Sequence, residues 1–414
     1  MKRISSNMGN TDMQYHLRLR EWQMNSQQNK MAEQTRIGEL RDDPVAAAHS
    51  TRYLSRMERL TRYSRNAETL QSDNRIAEGY MRSAGDILQR VRELAIQGAT
   101  GTYTKEENRY MAEEVNQLLN EMVVIANGQN GDGRTIFGGD RTLSQAFRVQ
   151  EGHYPGVENK LITGVKYVGT IENGKIEINE GNYIESRFPG NQVFWAENQQ
   201  VFADREALNY QVDQDSTIRI DGVEINLKQG DNIHTIMAKI NSSGAAVEAS
   251  LDPVKNSLML KTTVPHQLWL ENGANGQVLT DLGLIDNYNR PPANYADGVA
   301  VAGGSMFDMM IQLRDNLYDG DKIDIGGAAL KGLDLALNNL LSELGKLGAQ
   351  DERLSLIQGR LANEIPEIQQ KNLNITGLDM AKAITDLKML EFNHKAALQT
   401  SARILQPTLL DFLR

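Results

Sequence analysis

The stretch RIGELRDDPVAAAHSTRYLSR, residues 36–56, sets how the chain is divided. A helix cannot run undisturbed through Asp43-Pro44, because proline lacks the backbone N–H and disfavours helical geometry at the residue before it. The same pair is a good place to start a helix. The Asp43 carboxylate can accept from the open N–H groups of a first turn, and Pro44 has its φ preset for the first helical position. The stretch therefore ends one helix, turns, and begins the next. Asp42 and Asp43 can also be read as a carboxylate pair for acid–base chemistry, which would need surroundings that split two pKa values. The cap is the simpler role for adjacent carboxylates at a helix start, and it is preferred.

Working outward, the helix that follows carries a heptad rhythm. Ala67, Leu70, Asn74, Ala77, Met81, Ala84, Leu88, Val91 and Ala95 alternate steps of three and four, the spacing of a coiled-coil seam. Helical from 53 to 98, this segment would be about 70 Å long, more than a compact single domain needs. Gly98 and Gly101 end it. Thr104-x-x-Glu107 has the pattern of a capping box opening a third helix, with Met111, Val115, Leu118, Met122 and Ile125 on one face, so a helical hairpin with its loop near 99–104 is expected. The Gly- and Asn-rich ANGQNGDGRTIFGGD (126–140) reads as a turn. It lacks the Lys-Ser/Thr of a phosphate loop and the repeated calcium pattern.

From about 141 to 300, β-branched runs between Gly, Asn and Asp punctuation predict strands, as at 165–168, 176–178, 216–227 and 257–263. One short helix is expected at 231–241, with Ile233, Ile236, Met237 and Ile240 facing inward. Helices return at 305–320, at 327–366 and at 377–405, where Pro366 is expected to kink or divide the run. The expected fold is mostly α at both termini, with long coiled-coil-like helices of the N-terminal end packed on those of the C-terminal end. An inserted β-rich α+β region forms the middle. The first forty residues carry only a narrow apolar stripe, Leu17, Met24 and Met31, and the last thirty a matching one, Ile384, Leu387, Leu398 and Leu405. Neither can be buried alone, since an isolated helix of this kind is marginal in water. They pack on each other or on copies in an assembly.

Composition narrows the function. The 414 residues are 40% hydrophobic and 24% charged with 9 prolines, as in globular proteins. The net charge is −10, which argues against a nucleic-acid or anionic-membrane partner for the whole molecule. Residues 1–65 are locally basic, with 12 Lys and Arg against 7 Asp and Glu, and a solvated helix face accounts for that more simply than an acidic partner does. With no cysteine there is no disulfide framework, thiolate metal site or cysteine nucleophile. Six scattered histidines give no zinc spacing, His394 being read as a packed polar seam residue, and no Gly-x-Ser-x-Gly elbow occurs. Trp22, Trp195 and Trp269 lie far apart and make no stacking platform. Catalytic, cofactor and metal sites are therefore not expected. Neither a cleaved secretory signal nor a membrane span is read from the sequence.

These motifs resemble the flagellin family. Arg41-Asp42-Asp43-Pro44-Val45-Ala46 is similar to its N-terminal pattern of a helix ending in DDP before small residues. VRELAIQGATGTYTKEENRYMAEEVNQLLNEM (91–122) and the Gly-rich segment ending in Phe-x-Gly resemble further N-terminal signatures. LGAQDERLS (347–355) and residues 376–413 resemble the C-terminal pattern. Where many relatives read Leu-Ser-Thr/Ser-Gly-Lys, this chain has Met31-Ala32-Glu33-Gln34-Thr35. Within the family, VKYVG (165–169), FPGNQVF (188–194) and SMFDMMIQLRDNLYDGD (305–321) are similar to the hook–filament junction branch, and 216–262 resembles a small α+β module common to many members.

The resemblance implies a non-enzymatic structural adaptor with five segments. Residues 1–65 and 370–414 would form an inner coiled-coil layer, 66–140 and 305–369 the next, and 141–304 an outward insert. The terminal segments would be disordered in the exported monomer and fold on assembly, so that binding energy also supplies folding energy. It also implies type III export without a cleaved peptide and a ring of copies. The implied partners are hook-associated protein 1, flagellin and an export chaperone. The implied location is an extracellular filament, or a periplasmic one where the host encloses its flagella.

Overall fold

The computed structural model describes residues 6–404 apart from 156, 158 and 274, with side chains from 11 to 402. Three helices open the chain, α1 (Ser6–Glu33), α2 (Pro44–Ala99) and α3 (Lys105–Ala126). The middle contains β1 (Phe147–His153), β2 (Lys160–Tyr167), β3 (Lys175–Asn179), β4 (Asn182–Glu185), α4 (Gly190–Val193), β5 (Gln200–Glu206), β6 (Ser216–Ile220), β7 (Val223–Leu227) and α5 (Ile233–Asn241). It continues with β8 (Val247–Leu251), β9 (Ser257–Thr262), β10 (Leu270–Asn272), α6 (Val278–Asp281) and β11 (Ala300–Ala302). Helices α7 (Met306–Asp319), α8 (Lys322–Asp324), α9 (Leu330–Thr376) and α10 (Met380–Ile404) follow, with a π-helical turn at Ile325–Ala329 leading into α9.

Local chemistry fixes the helix boundaries. Asp43 Oδ1 accepts from the Ala46 N–H at 3.0 Å at the start of α2. Thr104 and Glu107 make the reciprocal capping box of α3, Ser305 and Asp308 make that of α7, and Gly320 ends α7 at φ 74°. Contrary to the sequence pattern, Pro366 does not divide the run: α9 is a single helix from Leu330 to Thr376 with Pro366 inside it. Pro366 and Ala362, whose carbonyl loses its donor, are both exposed, so water can satisfy that oxygen.

The chain forms two compact units, residues 1–65 with 357–414, and residues 66–356. In the first, Leu60 and Tyr63 of α2 are buried with Leu361 and Ile368 of α9, flanked by Tyr53, Met57, Ile357 and Ile365. The second has two cores. One gathers the α2 heptad from Ala77 to Ala95 with α3, α7, the start of α9 and the β1–β2 hairpin. At its centre Phe137, Phe147, Phe194 and Phe307 pack with ring centroids 5.0–5.8 Å apart. Arg314 of α7 lies wholly buried in this unit. It donates to Asn116 Oδ1 of α3 at 3.2 Å, to the Ile162 carbonyl of β2 at 2.8 Å, and through Nε and Nη2 to Asp315.

The other core belongs to the α+β module. Two antiparallel sheets, ordered β10-β6-β7 and β11-β5-β9-β8, enclose Ile218, Ile220, Leu258 and Leu260 with Ile233, Ile236 and Ile240 of α5. The β6–β7 register pairs Ile220 with Val223, leaving Asp221-Gly222 as a two-residue turn with φ of 50° and 79°. That is the conformation for which Asp-Gly is selected in hairpins.

Candidate assembly interface

The terminal unit shows how the predicted stripes are used. On α1 the half-buried positions Met13, Leu17, Arg20, Met24, Gln27 and Met31 alternate steps of four and three. On α10 the covered positions Ala383, Leu387, Leu390, His394, Ala397 and Ser401 repeat the same steps. The two helices pack antiparallel along these seams. Arg20 Nη1 donates to the Asn393 carbonyl at 2.7 Å and Gln27 Nε2 to that of Ala383 at 3.5 Å, while His394 Nε2 lies 4.0 Å from Glu21 Oε1. Thr35 and Gly377 form an antiparallel bridge beyond the helix ends.

Of the seven residues read from the sequence as the seam, Leu17, Met24, Met31 and Leu387 lie in this pairing. Ile384 and Leu398 do not. They are 42% and 46% exposed on a flank of α10, and Met389 and Phe392 are more exposed still. Leu405 lies outside the described residues. Residues that sequence reasoning missed, Ala383, Ala397 and Ser401, are among the covered positions of α10, and the signal that could have found them is their heptad spacing rather than their hydrophobicity. Across from the seam α1 exposes Tyr15, Leu19 and Trp22. Each terminal helix thus has one face covered within the chain and large apolar side chains elsewhere that are not.

The Asp42-Asp43-Pro44 turn holds this unit at its corner. Asp42 Oδ2 accepts from the Gly38 and Glu39 N–H groups at 3.1 and 3.2 Å and meets Lys30 Nζ at 2.9 Å. The Lys30 ammonium, then the Glu39 amide, hold its carboxyl below the ordinary range. Asp43 is lowered by the Ala46 amide, then by Arg36, whose Nη2 lies 3.0 Å from Oδ2. Arg36 also reaches the far end of the chain, donating from its backbone N–H to the Thr376 carbonyl at 2.7 Å and from Nη2 to that of Ile375 at 3.3 Å. One carboxylate shapes the loop, and the other caps α2 while positioning the arginine that links the α1–α2 turn to the α9–α10 turn. Arg41 lies 5.2 Å over the Trp22 ring. Among the described residues no group of three or more His, Asp or Glu could hold a metal ion, and no helix is long and apolar enough to cross a membrane.

Three family models match the chain. The bacterial flagellin N-terminal helical region covers residues 4–142, the flagellin hook IN motif 208–264, and the bacterial flagellin C-terminal helical region 330–413. The chain belongs to the flagellin family. It is a structural component of the bacterial flagellum and not an enzyme. The family's two helical regions are α1–α3 and α9–α10, and the IN motif is the greater part of the α+β module. Polar flagellin C of Vibrio parahaemolyticus serotype O3:K6 is 25% identical over 412 residues, which is 97% of this chain and 96% of that one. Flagellin A of Vibrio anguillarum is 25% identical over 410 residues, with the same shares of 97% and 96%. Among solved structures, flagellar hook associated protein-3 of Legionella pneumophila aligns with a TM-score of 0.46 and 17% identity over 77% of this chain and 96% of that one. FlgL of Xanthomonas campestris aligns with a TM-score of 0.46 and 14% identity over 77% and 98%.

Proposed function

We propose that the chain is hook-associated protein 3, a structural adaptor that forms a ring of copies between hook-associated protein 1 and the flagellin filament. The carrying observation is the half-covered state of the terminal helices. One seam is closed within the chain, and Ile384, Phe392 and Leu398 on α10 with Leu19 and Trp22 on α1 are left for neighbouring subunits. Burying such side chains is worth roughly 1.5–3 kcal/mol each. The junction reading is favoured over others in the family by the segments at 165–169, 188–194 and 305–321. In this fold they are core rather than decoration: Tyr167, Phe194 and Phe307 belong to the aromatic cluster, and Asn339 of α9 donates to the Gln192 and Trp195 carbonyls at 2.8 Å.

On this reading the inner layer comprises residues 1–65 and 370–414, the second layer 66–140 and 305–369, and 141–304 faces outward. The chain leaves the cell by type III export with a dedicated chaperone and acts in the extracellular or enclosed filament. Limited proteolysis of the soluble monomer is expected to trim both ends first, and protected termini would contradict folding on assembly.

A filament flagellin is the second reading, favoured by near full-length similarity to flagellins. Gene deletion separates the two. A junction protein leaves normal hooks and releases flagellin into the medium, whereas loss of a filament subunit leaves the junction in place and removes or alters the filament. Pull-down of the full chain against hook-side and filament proteins under polymerising conditions tests the partners directly.

A further inference from the structure

The heptad of α2 contains one polar member, Asn74, between Leu70 and Ala77. It is 2% exposed, and neither atom of its amide has a hydrogen-bond partner among the described residues. Helix α9 runs antiparallel to α2. Gly85 lies against Leu340, and Arg92 Nε pairs with Asp334 Oδ1 at 2.6 Å. Equal steps along both helices from these contacts bring Asn74 opposite Asp351, whose Oδ1 is likewise buried and unpartnered among the described residues. The α2–α9 seam therefore has a polar layer where its own pattern calls for apolar side chains, and unpaired buried polar groups weaken a seam.

The β3–β4 hairpin bridges the two helices at this layer. Its base is closed by the Ser186 N–H and Oγ, both donating to the Gly174 carbonyl at 2.7 Å, and the following Arg187 donates to the Gly139 carbonyl at 3.0 Å. From α2, Asn66 Nδ2 donates to the Glu177 carbonyl of β3 at 2.8 Å. From α9, Gln350 Nε2 donates to the Glu185 carbonyl at 2.6 Å and Arg353 Nη2 to Asn182 Oδ1 at 2.8 Å, both on β4. Ile178 and Ile184 of the hairpin are buried, as are Ala67 and Leu70 of α2 and Leu354 of α9. One strand is thus tied to each helix, β4 to α9 at residues 350 and 353, which flank the polar layer, and β3 to α2 at Asn66, about two turns before Asn74.

We infer that the β3–β4 hairpin is a strap that holds α2 to α9 across the Asn74–Asp351 layer, so that the pairing of the helices here is set by the hairpin and not by the seam. The inference is independent of whether the chain serves at a junction or in a filament. It is tested by hydrogen exchange on the full chain carrying Asn66→Ala, Gln350→Ala and Arg353→Ala together. Amides of residues 66–77 and 347–356 should exchange at least tenfold faster, while α3, α7 and β5–β9 keep their protection. Adding Asn74→Leu and Asp351→Leu to that background should restore protection, because the seam then closes without the strap. Unchanged exchange in the triple variant would overturn the inference. So would a loss that extends equally to α3 and the α+β module, or a failure of the leucine pair to recover protection.

Discussion

Replacing Arg314 with methionine removes a buried side chain that joins α3, β2 and α7 from inside the core. Methionine fills similar length without donors. It leaves the Ile162 carbonyl and Asn116 Oδ1 without the bonds they now accept, and Asp315 without its cation at 2.7 Å. Breaking a buried pair from one side costs about 3–5 kcal/mol, most of it from the partner groups stranded in a poor solvent. Asp315 moderates this, since its side chain retains 30% exposure and can take up a proton.

Burial already pushes the Asp315 carboxyl above its ordinary range, with Arg314 opposing that shift. A raised carboxyl pKa in the folded state contributes stability that is fully present below the unfolded value, about 3.9, and is lost as pH rises through the folded value. Without Arg314 the shift grows. The deficit of Arg314→Met should therefore be largest at neutral pH and shrink on acidification through the interval just above the ordinary carboxylate range. The assay is urea unfolding followed by the fluorescence of Trp195 and Trp269 in a Trp22→Phe background, so that only the unit holding Arg314 reports. A deficit below about 1 kcal/mol, or one that does not change between pH 7 and about 4.5, would refute the assignment of the cost to a stranded carboxylate.

Five further outcomes follow from individual sites and pairs of sites. Gln34 stands at φ 55°, so Gln34→Gly should stabilise the terminal unit, once folded in the assembly, by about 1 kcal/mol in thermal dissociation, the scale of left-handed strain in a side-chain-bearing residue. Asp43→Ala should speed amide exchange at Ala46 and Ala47, while Asp43→Asn, which can still cap, should not. Because Asp42 and Asp43 titrate below their ordinary range, their contribution is present above about pH 4 and is lost as pH falls through the lowered values, so chemical shifts of the 36–43 loop should move only in acid. Gly139 has φ 61°, and a Cβ there would lie 2.1 Å from the Thr170 carbonyl oxygen, so Gly139→Ala should cost about 2–4 kcal/mol in urea titration. Phe392→Ser with Leu398→Ser should leave the monomer's circular dichroism unchanged and abolish incorporation into assembled flagella.

The parts of the fold legible in the sequence are those where one helix face has one job. All nine heptad positions from Ala67 to Ala95 are buried, and the capping box at Thr104 and the turn at Asp43-Pro44 are local chemistry that needs no partner to be read. The Gly-rich 126–140 segment is more than the turn it reads as. Phe137 enters the aromatic core, and Gly138 and Gly139 let the chain pass against the Arg141 and Thr170 carbonyls, contacts that only the folded chain brings together. On α10 the apolar pattern misleads for a physical reason. A helix that meets one partner inside its own chain and others in an assembly carries two overlapping stripes, and hydrophobicity adds them. The seam holds small and polar members, Ala383, Ala397, His394 and Ser401, beside Leu387 and Leu390, whereas the bulky Ile384 and Leu398 stand 42% and 46% exposed on its flank. On the proposed function the exposed Ile384 and Leu398 are the surface offered to other subunits, and the intramolecular seam, Leu387 and Leu390 included, is found by its spacing of four and three.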